Sequence, residues 1–147
     1  MIVKSILKEK ARGAGVVTVT SDAKISEAAG LLAQHRIGAL LVIGAAGAIA
    51  GILSERDIIR GVAERGNLCL NLSVRDLMTA EVVACHESDT IEALMQIMTS
   101  RRIRHLPVVG DEDRLVGIVT IGDVVKSRLE EADMEVDNLR HYVVAAR

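Results

Sequence analysis

Aromatic residues are nearly absent from this chain: Tyr142 stands alone, with no Trp and no Phe among 147 residues. Any core must therefore be built from Val, Ile, Leu, Met and Ala, and the apolar share of 50% is enough to build one. Without aromatic platforms, bases have nothing to stack on. An excess of charge is missing too. The formal net charge is −2, which excludes a general electrostatic grip on nucleic acid. Cysteine occurs only at Cys69 and Cys85, too few for a disulfide framework and without metal-ligand spacing, so a reducing cytoplasm is the expected setting. His35, His86, His105 and His141 show no ligand spacing either, and no motif requires a metal. The opening stretch from Met1 to Lys10 has no long apolar run and no cleavage signal, so no export is expected.

What the chain does have is a repeat. Under a shift of 66 residues Leu40 falls on Leu106, Val42 on Val108, Gly51 on Gly117, Ile52 on Ile118 and Asp57 on Asp123. Ser54 lands on Thr120, which keeps the hydroxyl. The register continues upstream without a gap, with Ile37 on Ile103, Arg36 on Arg102 and Ile25 on Ile91. One unit is built twice. The repeat also decides the uncharged run of 17 residues from Ile37 to Leu53, whose glycines are spaced as in a membrane helix. Its counterpart carries Asp111, Glu112, Asp113 and Arg114 at the middle. Gly44-Ala-Ala-Gly47 is thus read as a hairpin turn, and no membrane span is expected.

Periodicity gives each copy the order β-α-β-β-α. In the first, 16–19 reads as a strand, 26–36 as a helix, 39–43 and 48–53 as strands, and 54–65 as a helix closed by Gly66. The two central strands are apolar on both faces, as strands covered on both sides are. In the second copy the corresponding segments are strands near 82–85, at 106–109 and at 114–119, a helix over 90–100, and a last helix from Thr120. The organisation is a helix (1–12) and small-residue linker within 1–15, a first motif over 16–66, a link over 67–78 with a helical turn at Ser73–Asp76, a second motif over 79–129, and a helical tail over 130–147. Leu129, Ala132, Val136, Leu139 and Val143 form a stripe on that tail. It needs a surface, either its own domain or a second copy of the chain.

Ser54-Glu-Arg-Asp57 and Thr120-Ile-Gly-Asp123 admit two readings. Each resembles a capping box with Asp in place of Glu, worth about 1 kcal/mol. Equally, a helix start offers free N–H groups and a positive dipole end to a phosphate. An ionised Asp can accept from both hydroxyls of a ribose. The residues alone leave both open. Cys85-His86 cannot be a nucleophile–base pair on a strand, where neighbours point to opposite faces. Gly44–Gly47 is not a phosphate loop, because a strand follows it.

Gly51-Ile-Leu-Ser-Glu-Arg-Asp-Ile-Ile after Gly38-Ala-Leu-Leu-Val, and Gly117-Ile-Val-Thr-Ile-Gly-Asp-Val-Val after His105-Leu-Pro-Val-Val, resemble the two halves of a cystathionine-β-synthase (CBS) domain pair, over about Val16 to Leu129. The resemblance implies an α/β fold in which tandem β-α-β-β-α motifs pack as one pseudo-twofold module, with an N-terminal helix and a long C-terminal helix. It implies adenosine-containing ligands (AMP, ADP, ATP, NAD(H) or S-adenosylmethionine) in clefts between the halves. Ribose would be held by Asp57 and Asp123, phosphate by Ser54, Arg56, Arg104, His105 and Thr120, and adenine by Ile37, Gly38, Ala39 and Ile103. Lys10 or Arg12 would add charge beside Asp57. Because Arg104-His105 stands where the first copy has Gly38-Ala39, that basic pair is expected to clamp phosphate in the cleft of Thr120 and Asp123. A preference for AMP over adenosine there would fade from about pH 6 to about pH 8 as His105 loses its proton. The function implied is a regulatory module, an energy or redox sensor that is cytoplasmic and homodimeric, biases a separate protein and catalyses nothing. The rivals are a small nucleotide-processing enzyme and a purely structural dimerisation module.

Overall fold

The computed structural model describes residues 1–10 and 16–145; the expected linker at 11–15, with Arg12, lies outside them. The chain opens with helix α1 (Val3–Lys10). The first copy then runs β1 (Thr18–Thr20), α2 (Ile25–His35), β2 (Ala39–Ile43), β3 (Ile49–Ser54) and α3 (Glu55–Arg65). After a 3-10 turn over Gly66–Asn71 and the short helix α4 (Val74–Leu77), the second copy repeats the order. It comprises β4 (Cys85–His86), α5 (Ile91–Arg101), β5 (His105–Val109), β6 (Leu115–Thr120) and α6 (Ile121–Ala145). In both sheets the middle strand is flanked by a parallel and an antiparallel neighbour. The first strand of each copy begins later than alternation predicts. Pairing with β2 starts only at Thr18, and Val16 and Val17 line a cleft instead.

The hairpins turn where the repeat places them, through 3-10 turns at Ala45–Gly47 and Asp111–Asp113. Both need the left-handed region at the same repeat position. Gly47 (φ 77°) adopts it freely, whereas Asp113 (φ 56°) is one of the few side chains that tolerate it.

Each copy has its own core, set by strand alternation. Leu40, Val42 and Leu53 meet Ile25, Ala28 and Leu32; Leu106, Val108 and Val119 meet Ile91, Leu94 and Met98. The opposite face of β2 is buried as well, with Leu41 at 0% exposure, as its uninterrupted apolar run predicts. Cys85 points inward and His86 outward, so they form no dyad.

The helix at the start of the chain seals the copy at its end. Val3 and Ile6 belong to the second core, and the Val3 N–H donates to Asp89 O at 3.0 Å. Helix α4 does the same for the first copy: Val74 is in that core and donates to Ala23 O at 2.8 Å. The two helices also cover equivalent glycines. A Cβ on Gly117 would lie 2.7 Å from Leu7 Cδ2, and one on Gly51 would lie 2.8 Å from Met78 Sδ. Beyond this point they diverge. Helix α4 stops, and the extended chain pairs Thr79 with Ile52. Helix α1 continues to Lys10.

No described helix is long and apolar enough to cross a membrane. Past Leu129 the α6 stripe lies open to solvent, with Leu129 62%, Leu139 65% and Tyr142 73% exposed.

Candidate functional site

Two clefts lie where the copies meet, of about 490 Å³ and about 540 Å³. Both are of ordinary size for small-molecule sites. Each takes the start of a last helix from one copy and the entrance of a central strand from the other. The first combines Ser54, Arg56 and Asp57 with Ile103, Arg104 and His105, and adds Thr120. The second combines Gly117, Ile118 and Thr120 with Ile37, Gly38 and Ala39, and adds Lys10.

This crossed arrangement corrects the expectation for charge. Arg104 and His105 line one cleft with Thr120, as expected, but that cleft holds Asp57 in place of Asp123, and Lys10 stands beside Asp123 and not Asp57. Gly38 and His105 line both clefts. A Cβ on Gly38 would approach His105 Nε2 to 3.2 Å, so the missing side chain of one copy leaves room for the ring of the other.

The two helix starts are capped as boxes. Ser54 N–H donates to Asp57 Oδ2 at 2.9 Å, Ser54 Oγ donates to the same oxygen at 3.1 Å, and Asp57 N–H donates back to Ser54 Oγ at 3.3 Å. The nearest cation to Asp57 Oδ1 is Arg60, at 3.9 Å, outside hydrogen-bond range. Asp57 is therefore a cap with acceptor capacity to spare, and it lines the first cleft. Capping and ligand holding do not exclude each other here.

In the second copy Thr120 N–H donates to Asp123 Oδ2 at 2.9 Å, and Asp123 N–H to Thr120 Oγ1 at 3.2 Å. A further donor arrives from outside the copy. Lys10 Nζ lies 2.8 Å from Asp123 Oδ2 and 2.7 Å from Ile118 O. The Ile118 carbonyl is the counterpart of Ile52 O, which in the first copy accepts from Thr79 N–H at 2.9 Å. Because α1 stays helical to Lys10, an ammonium supplies the bond that a strand N–H supplies opposite. Asp123 consequently sits under Lys10 in a small neighbouring cavity, off the lining of the main cleft.

His105 is held below its ordinary pKa of 6.5, first by burial and further by Lys10 and Arg104, while Glu55 and Asp123 act in the opposite direction. It therefore gives up its proton at a lower pH than an exposed imidazole does. Burial, with Asp89, pushes the Cys85 thiol up to about 12, which makes it an unreactive core residue. Among the described residues no cluster of His, Cys, Asp and Glu could hold a metal ion.

Several cleft residues escaped the sequence reading. Arg60, Arg102 and Glu81 line the first cleft, and Arg36 the second. Arg36 and Arg102 are equivalent, and both end a helix in the left-handed region at φ 54°. No glycine marks that turn, so only the repeated arginine itself was available as a signal. The place of Lys10 had a faint one: Val3, Lys4, Ile6 and Leu7 run parallel to Val74, Arg75, Leu77 and Met78.

A family model described as the CBS domain matches residues 11–64 and 74–130. Among solved structures, a CBS-domain containing protein from Agrobacterium tumefaciens is 48% identical, with 86% of this chain and 92% of that one covered and a TM-score of 0.81. The CBS domain pair of a protein designated MJ0100, in complex with 5′-methylthioadenosine and S-adenosyl-L-methionine, is 31% identical over 90% of this chain and 98% of that one, with a TM-score of 0.76. A CBS domain protein from Pyrobaculum aerophilum complexed with AMP is 26% identical over 84% and 89%, with a TM-score of 0.74.

Proposed function

This chain belongs to the CBS domain family, and from that premise we propose that it is a regulatory module that binds an adenine nucleotide and catalyses nothing itself. The observation that carries the reading is the composition of the clefts. Each joins a hydroxyl-bearing helix start of one copy to a strand entrance of the other, basic at Arg104-His105 in the first cleft and apolar at Ile37–Ala39 in the second, in a volume suited to a nucleotide. The ligands of the MJ0100 pair and of the Pyrobaculum protein share an adenosine unit. Asp57 takes the ribose in the first cleft and Asp123, reached from the cavity beside it, in the second, while Ile37, Gly38, Ala39 and Ile103 take the adenine, and Ser54, Thr120, Arg56, Arg104 and His105 the phosphates. The ligand is AMP, ADP, ATP or NAD(H), read as a signal of energy or redox state by a cytoplasmic module that biases a second protein.

The module acts as a homodimer. Leu129, Ala132, Val136, Leu139 and Val143 advance by three and four residues in turn, the seam by which identical helices pair. Five apolar positions on a solvated helix have no other described surface to cover them.

Calorimetry with AMP, ATP and NAD tests the binding. Asp57→Asn keeps the cap but exchanges an acceptor for a donor, so affinity should fall about tenfold while the melting temperature without ligand holds. Unchanged affinity with a large loss of stability would return Asp57 to capping alone, and turnover of any of the three would overturn the non-catalytic reading. Light scattering should give twice the chain mass, reduced by truncation after Arg128; a full-length monomer at micromolar concentration would overturn the dimer.

A further inference from the structure

The apolar linings of the two clefts match, and the charged ones do not. Val82, Val83, Ile103 and Ile52 line the first cleft where their repeat counterparts Val16, Val17, Ile37 and Ile118 line the second. The first cleft is also lined by Arg56, Arg60, Arg102 and Arg104. The same repeat positions in the other copy hold Gly122, Lys126, Arg36 and Gly38. Of these only Arg36 brings a charge to the second cleft, because Lys126 lies off it, 4.0 Å from Glu130. We infer that the first cleft is built for an adenosine ligand with two or more linked phosphates, and that the second takes no phosphate beyond the first. This division rests on the nucleotide reading above and names the chemistry shared by ADP, ATP and NAD(H).

Arg56 and Arg60 stand one turn apart on α3, so they share the side of the helix start at which a first phosphate would lie. Arg102 and Arg104 come from the other copy. A diphosphate between them meets guanidinium groups from both copies, each able to donate two parallel bonds to phosphate oxygens. All four are exposed and free to turn. Among the described residues Arg56, Arg102 and Arg104 enter no ion pair, and Arg60 enters only the 3.9 Å one with Asp57. Asp57 belongs to the cap and the ribose. Glu55 leans to Gly38, where a Cβ would lie 2.8 Å from its Oε1, which leaves Glu81 among the guanidinium groups. In the second cleft Lys10 is held by Asp123 and Ile118 O, at 2.8 Å and 2.7 Å, so Arg36 is the described cation free to reach a second phosphate. The contrast lies in donors able to close on a phosphate, not in net charge.

Site-resolved titration of the full chain, without divalent cations, tests the division. Isoleucine methyl resonances of Ile52 and Ile103 report the first cleft, those of Ile37 and Ile118 the second. Replacing AMP by ADP should tighten binding about tenfold or more at the first cleft and less than about threefold at the second. In the double variant Arg56→Gln, Arg104→Gln that gain should drop to about the level of the second cleft, AMP losing less than ADP. Both side chains are exposed, so the melting temperature without ligand should hold. Whichever of ADP, ATP and NAD binds most tightly at Ile103 names the source of the diphosphate. Equal gains from ADP at the two clefts, or a double variant that loses AMP and ADP in equal proportion, would overturn the inference and leave the nucleotide reading intact. Failure of AMP and ADP to bind at all would overturn the two together.

Discussion

The two copies give nearly the same strands, turns and helix starts, but they fix their edge strands differently. On the first, the chain after α4 runs extended against β3, and Thr79 backbone approaches Gly51 so closely that a Cβ there would lie 2.7 Å from Thr79 O. On the second, α1 keeps its helix, and two side chains do the same work: Leu7 covers Gly117 and Lys10 bonds Ile118 O. Backbone cannot retreat, whereas a leucine or lysine can turn about its own bonds. The first copy is therefore closed by backbone, and the second by movable groups, one of which pairs with Asp123.

The largest effect that would break this contrast is steric. Gly51→Ala should cost about 2 kcal/mol or more, because the added methyl meets a carbonyl oxygen, while Gly117→Ala should cost about 1 kcal/mol or less by shifting the end of Leu7. Denaturant midpoints of the two variants measure the difference, and equal midpoints would show that the closures are equally stiff. Next is electrostatic. Asp123→Asn should destabilise the unliganded protein by roughly 0.5–1 kcal/mol more than Asp57→Asn, since only the former removes the partner of Lys10. A double-mutant cycle with Lys10→Met assigns that share, and a coupling of zero would mean the pair is ornamental. The smallest is set by His105, which both clefts share. The unfolded chain takes up a proton near 6.5 that the folded chain resists, so the stability this histidine contributes is complete above that pH and is lost as the pH falls below it. Melting temperatures at about pH 8 and about pH 5 should therefore differ less in His105→Asn than in the parent.

The halves of the molecule were legible in the sequence because a gapless repeat transmits its pattern twice. The charged turn at Asp111–Arg114 explained the uncharged one at Gly44–Gly47, and the alternation of β2 and β5 placed both cores. The clefts were legible only as lists of residues. Which list faces which depends on how two sheets pack back to back, and that geometry joins Arg104 to Asp57 across 47 positions of chain. Nothing in either motif records it. Lys10 was hidden for a related reason: its partner lies 113 residues away, and the helix that carries it serves the far copy. The shift in the proton affinity of His105 was hidden as well, since it comes mainly from burial.

Gly38, His105 and Thr120 line both clefts, and of these His105 carries the largest side chain. Its rotamer belongs to both compartments at once. If a ligand on one side holds the ring in a preferred orientation, the other side is reshaped without any further part of the protein moving. Thermodynamic reciprocity then requires the second ligand to alter the first by the same factor. The occupancies of the two clefts become a single composite signal, so that the concentration of one ligand sets the threshold at which the other is read.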